Sequence, residues 1–111
     1  MDNLIIYVAG KVTGLPDLNK PKFEHATREL RGRGFIVRNP HEICHGLAPD
    51  QWDQCMKRCI AVMMECNMVL FLDDWFESKD ATIEHRLANA LGMQTEMYRT
   101  FINRLNLKPI E

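Results

Sequence analysis

Nothing in this sequence is as long and as apolar as a membrane span; runs such as Met68 to Leu72 are strand-sized. Aromatic residues are few, at 8%, and no sign of charge is in surplus: 14 Lys+Arg face 15 Asp+Glu, a formal net charge of -1. That balance excludes the broad basic surface on which electrostatic nucleic-acid binding rests, so neither nucleic acid nor a membrane is expected as a partner. The start, Met1-Asp2-Asn3-Leu4, has neither the basic residues nor the apolar stretch of a signal peptide, and a cytoplasmic location is expected. In that setting the four cysteines, Cys44, Cys55, Cys59 and Cys66, are expected as free thiols rather than bridges. No Cys-x-x-Cys pair occurs: the spacings are Cys44-His45 adjacent and Cys55-x-x-x-Cys59, so no metal is assigned, and no cofactor.

What is present is an ordinary globular composition. Residues of the hydrophobic set make up 46% and charged residues 26%, which excludes disorder and collagen-like repetition. At 111 residues the chain is read as one domain over 1–111, able to bury roughly two-thirds of its unfolded surface. Leu4 to Val8 is a continuous β-favouring run, as suits a strand covered on both faces. Phe23, Ala26, Thr27 and Leu30 recur at helical spacing, with Gly32 and Gly34 ending the helix. Phe35-Ile36-Val37 is a second strand closed by Asn39-Pro40, and residues 41–49 are read as a loop. A helix is expected from Asp50, with Met56, Ile60, Met63 and Met64 as its apolar stripe. Val69 to Leu72 is the third strand. Ser78 caps a helix over 79–91 whose core face is read as Ile83, Leu87, Ala90 and Leu91. A short strand over 93–98 and a helix from Tyr98 to Leu105 complete the pattern. It predicts a three-layer α/β fold with a small, mainly parallel sheet, and function at the carboxyl ends of the strands.

Four groups of residues could carry chemistry. The loop Ala9-Gly10-Lys11-Val12-Thr13-Gly14 follows a first strand, where glycine lets backbone approach a phosphate or sugar; it contains no Gly-x-Gly and is equally a plain turn. Glu84 and Asp80 stand one helical turn apart, with the small Ala81 and Ala88 nearby; if partly buried they raise each other's proton affinity, and if solvated they do nothing special. His41, Cys44, His45, Cys55 and Cys59 form no convincing ligand set, and Cys55 and Cys59 read as small apolar residues on one helix face. Trp52, Trp75 and Phe76 are the fourth group: Trp75 and Phe76, directly after the third strand, could stack on a base or simply pack, and Trp52 is compatible with an interface.

Taken in order, Ile6-Tyr7-Val8-Ala9-Gly10, Thr13-Gly14, Asn19 with Phe23, and Gly34-Phe35 with Asn39-Pro40 form a recognisable pattern. It continues through Cys66, Trp75, Ser78-Lys79, Ala81, Glu84, Ala88 and Leu91-Gly92. The whole resembles DUF4406, a set of short, mostly phage and bacterial proteins related to nucleoside 2-deoxyribosyltransferases. The resemblance spans residues 4–93.

It implies an N-glycosidic chemistry on a 2'-deoxynucleoside or its 5'-monophosphate. Glu84 matches the helical glutamate that attacks the anomeric carbon, Tyr7 the tyrosine that orients it, and Gly10 the glycine beside it. Ser78 resembles the serine that holds a 5'-phosphate, a task suited to a helix N-terminus. Relatives assemble as dimers or larger, so a homo-oligomer is implied. Departures are equally specific. Cys59 stands where an acidic residue helps bind the sugar or protonate the base. Asn67 replaces an aspartate, Lys11 a proline, and Asp80 a glycine beside the phosphate position. Asp73, Asp74 and Asp80 are the carboxyls that could replace the missing acid, and Trp75 the aromatic at the same edge. The alternative reading is a nucleotide-binding sensor or sponge that keeps the pocket without turnover.

Overall fold

Alternation along the two central strands divides the core into two halves, although the sequence there reads as unbroken apolar runs. The computed structural model describes residues 4–12, 15–48 and 50–107. Its elements are β1 (Ile5–Ala9), α1 (Lys20–Gly32), β2 (Ile36–Arg38), α2 (Pro40–Ile43), α3 (Trp52–Met63), β3 (Met68–Phe71), α4 (Lys79–Ala90), β4 (Gln94–Met97) and α5 (Tyr98–Asn106), with 3-10 turns at Pro16–Asn19 and Trp75–Glu77. The four strands form one parallel sheet in the order β2-β1-β3-β4, as the β-α-β pattern predicted.

In β1, Ile6 and Val8 point to one face and Tyr7 and Ala9 to the other; β3 divides in the same way, Met68 and Leu70 against Val69 and Phe71. Register aligns the two sets: Ile6 pairs with Met68, and Tyr7 with Val69. Phe23, Ala26 and Leu30 of α1 and Phe101 of α5 cover the first set. Cys59 and Met63 of α3 and Ala81 and Ala88 of α4 cover the second. Each fully buried Ile, Leu, Phe or Met contributes about 1.5–3 kcal/mol by leaving water. Helix α1 buries the four residues its spacing predicted, and Gly34, at φ +98°, takes the left-handed turn into β2.

Four expectations are corrected. The segment read as a loop over 41–49 opens with a short helix, α2, because Asn39 accepts a hydrogen bond from the His41 N–H at 2.9 Å and Pro40 occupies the first turn. Helix α3 starts at Trp52, after a Gln51 whose Oε1 accepts the Ala48 N–H at 2.7 Å, so Asp50 lies outside it. Helix α4 is rotated from the predicted face: Ala81, Glu84 and Ala88 are buried, Ala90 is exposed, and Ile83 and Leu91 are 37% and 56% exposed. Two alanines let the helix sit close to the sheet, and Glu84 turns inward because it finds a hydrogen-bond partner there. Finally, Cys44 and Cys55 are joined in a disulfide, with Cα atoms 5.4 Å apart, leaving Cys59 and Cys66 as free thiols. The end of α2 lies against the first turn of α3, a proximity that linear spacing does not reveal. No described helix is long and apolar enough to cross a membrane.

Candidate functional site

The parallel topology gathers the carboxyl ends of the strands at one edge, and a cavity of about 210 Å³ opens there. Tyr7 of β1 and Gly10, just after it, line one side, and Pro40 and His41 come from α2. Trp52, Cys55, Met56 and Cys59 come from α3, and Asp80 and Glu84 from α4. The segment between α2 and α3 closes the remaining side with Leu47, Ala48 and Gln51.

Tyr7 is fully buried and Glu84 is 3% exposed; the Tyr7 hydroxyl donates to Glu84 Oε2 at 2.5 Å across a separation of 77 residues. Burial pushes the Glu84 carboxyl up to about 8; the Tyr7 hydrogen bond opposes that shift and the Asp80 charge adds to it. Burial, then the Glu84 charge, raises Tyr7 well above the usual phenol range, which keeps it a donor. Cys59, 2% exposed, is also pushed up by burial, to about 11, partly opposed by the Tyr7 hydroxyl. It is therefore a neutral thiol and a weak proton donor.

Asp80 is the second carboxylate of the cavity. Its Oδ1 accepts the Trp52 indole N–H at 2.5 Å, and the Lys79 ammonium lies over the Trp52 ring, 4.2 Å from its centroid. Gly10 has a packing reason for being glycine: a Cβ there would stand 2.9 Å from Leu72 Cδ1. Thr13 and Gly14 of the same loop lie outside the described residues.

Three of the predicted site residues do not line this cavity. Ser78 caps α4, its Oγ accepting the Ala81 N–H at 3.1 Å, and is 7% exposed. Asp74 fastens the first loop: Oδ1 accepts the Lys11 N–H at 3.2 Å and Oδ2 faces the Lys22 ammonium at 3.5 Å. Trp75 stacks on His85, with centroids 4.2 Å apart, and leans on Phe71. Tyr7, Gly10, Cys59, Asp80 and Glu84 do come together around the cavity.

Sequence reasoning grouped His41 and Trp52 with residues that could carry chemistry but assigned neither to this site, and it missed Gln51. His41 Nε2 is buried without a hydrogen-bond partner, and its ring packs edge-on against Phe23 at 5.0 Å. Burial lowers its proton affinity. The Asn39-Pro40 helix start was the available signal, since it turns His41 back toward the sheet edge.

Among the described residues lining the cavity there is no lysine or arginine; its acidic groups are the Asp80 and Glu84 carboxyls. The arrangement suits an uncharged polar ligand with an apolar face, and it offers one carboxyl poised near neutrality beside a fixed hydroxyl. No curated protein and no solved structure matches the chain. The model of one family, described as a domain of unknown function, DUF4406, matches residues 4–97, and the chain belongs to that family.

Proposed function

We propose that the cavity binds a 2'-deoxynucleoside and that Glu84 cleaves or transfers its N-glycosidic bond. The observation that carries this reading is the buried Tyr7–Glu84 hydrogen bond at 2.5 Å in the wall of a cavity at the strand ends. A carboxylate fixed in this way can attack C1' of the sugar, form an ester to it and release the base; water or a second base then attacks C1' and frees Glu84. The leaving base takes its proton from solvent, Cys59 being held as a neutral thiol pushed up to about 11. Of the two substrate classes the resemblance implies, the absence of a basic residue among the described lining favours the nucleoside over its 5'-monophosphate. A homodimer whose partner completes the pocket belongs to the same reading and is checked by light scattering.

The second reading, binding without turnover, is favoured by two observations: Cys59 is a neutral thiol, and Asp80 is tied to Trp52. One experiment separates the two. The protein is incubated with deoxynucleosides and their 5'-monophosphates, free base is quantified by chromatography, and thermal stability is followed in parallel. Base release that disappears in Glu84→Ala supports catalysis. Ligand stabilisation without release, surviving Glu84→Gln, supports binding alone. Neither effect from a folded protein overturns both. Because the nucleophile is the ionised carboxylate, release should rise with pH to a midpoint near 8, with about a tenth of the maximum at pH 7. A rate that falls over that range would assign Glu84 to proton donation instead.

A further inference from the structure

Cys44 follows the last residue of α2, while Cys55 and Cys59 stand four residues apart on α3, so helical geometry puts the latter two on one face. The fold brings all three sulfur atoms within 4.8 Å of one another. The disulfide uses Cys44 and Cys55, yet Cys59 Sγ lies only 3.6 Å from Cys44 Sγ, and a simple bridge has no need of a third cysteine. We propose that in the reduced chain Cys44, Cys55 and Cys59 form a binding site for a thiophilic cation of the zinc class, and that this cation and the Cys44–Cys55 disulfide are alternative states of the same sulfurs.

The geometry favours this. Zinc–thiolate bonds of about 2.3 Å in a tetrahedral arrangement put the sulfurs roughly 3.8 Å apart. The Cys44–Cys59 separation is already close to that, and Cys55 reaches it once its bond to Cys44 is broken. Soft thiolate ligands select this class of metal over magnesium or calcium. All three cysteines line the cavity, so a fourth coordination position opens on it. In both states Cys44 remains tied to α3, and the intervening segment with Leu47, Ala48, Gln51 and Trp52 stays in place as a cavity wall. The site stands whatever the cavity binds.

The chemistry balances with a phosphine as reductant. Two electrons pass from the phosphine into the S–S bond, each sulfur takes a proton from water, and the phosphine leaves as its oxide. The cation then displaces thiol protons to solvent with no further electron transfer.

The test is an anaerobic titration of the phosphine-reduced protein with Cd²⁺ as spectroscopic probe, followed by competition with Zn²⁺. A thiolate-to-metal charge-transfer band saturating at one equivalent is expected, reversed by zinc. Cys59→Ser should weaken binding by more than the ~10–100-fold typical of losing an outer-shell partner. Cys66→Ser, which removes a thiol donating to the Val62 carbonyl at 3.3 Å, should leave the titration unchanged. The oxidised protein should give no band until it is reduced. A reduced, folded protein without a saturable band overturns the proposal, as does a band that Cys59→Ser leaves intact or that Cys66→Ser abolishes.

Discussion

On one face of the sheet, Phe23, Leu30 and Phe101 cover Ile6, Val8, Met68 and Leu70, and the buried polar pair alongside, Thr27 and Asn39, satisfies itself with a 3.0 Å hydrogen bond. On the other face, α3 and α4 cover Tyr7, Ala9, Val69 and Phe71, and there the core admits a hydroxyl, a thiol and a carboxyl. The strands are the same. What differs is that the apolar side chains of the first face gain by leaving water, whereas Glu84 loses hydration and recovers one hydrogen bond. The α1/α5 face therefore supplies stability against which the α3/α4 face holds an unfavourable group. Such a division is expected where a site is built into a small core.

Breaking the first face should have the largest effect on stability. Phe23→Ala is expected to cost about 3–5 kcal/mol, because a fully buried ring is removed from a region with no space to collapse into. Urea denaturation measures it, and a cost below about 1 kcal/mol would end the distinction between the faces.

Glu84→Gln should act in the opposite direction. The folded carboxyl, at about 8, lies above its ordinary value of 4.5, so the folded chain binds more protons than the unfolded chain between those values. Stability is therefore fully present below about 4.5 and is lost as pH rises toward 8, by at most ~1.4 kcal/mol per pH unit. The glutamine variant removes that slope while keeping an acceptor for Tyr7. On the order of 4 kcal/mol of stabilisation is expected at pH 8, shrinking to less than about 1 kcal/mol at pH 5, together with loss of any base release. Denaturation at the two pH values, with and without the substitution, checks the sign.

The legibility of the sequence followed the same division. The α1 stripe of Phe23, Ala26, Thr27 and Leu30 could be read from periodicity because burial there tracks hydrophobicity. The α4 face could not. Its exposed side carries Ile83 and Leu91 and its buried side a glutamate, so a hydrophobic pattern points the helix the wrong way. Only the resemblance turned Glu84 inward and set Tyr7 opposite it. Neither source placed Trp52 against Asp80 or brought Cys44 to Cys55 and Cys59, because those contacts depend on how α2 and α3 are set against each other. Asn39-Pro40 did carry a local signal, a capping residue followed by an N1 proline, but its reading as a strand end hid the helix it begins.

A subtler probe lies where the two faces meet. Gly10 lines the cavity on one side and meets Leu72, a member of the α1/α5 core, on the other. In Gly10→Ala the new methyl would stand 2.9–3.2 Å from three Leu72 carbons, and Leu72 is only 2% exposed, so the side chain must shift within packed surroundings. About 1–2 kcal/mol of destabilisation is expected from overpacking. Gly10→Ala combined with Leu72→Val should recover part of it, since the smaller side chain vacates the contact. Absence of any recovery would mean that Gly10 is required by the loop rather than by the core.

The smallest effect is expected at Asp74, which belongs to neither face. Its three contacts, to the Lys11 N–H at 3.2 Å, Asn19 Nδ2 at 3.4 Å and Lys22 Nζ at 3.5 Å, are all long, and its side chain is 20% exposed. Asn19 Nδ2 also donates to the Lys11 carbonyl at 2.8 Å, so the loop keeps a shorter tie when Asp74 is removed. Asp74→Ala should therefore cost only about 0.5–1 kcal/mol globally, the range of a partly exposed ion pair with a hydrogen bond. Its local effect should be larger, because the Lys11 N–H loses its acceptor while Gly10 and Val12 on either side form cavity wall. Amide exchange should accelerate at Lys11 and leave β1 unchanged. If exchange accelerates through β1 as well, the latch supports the sheet, and the cavity rim is not the separately adjustable part that the two-faced core implies.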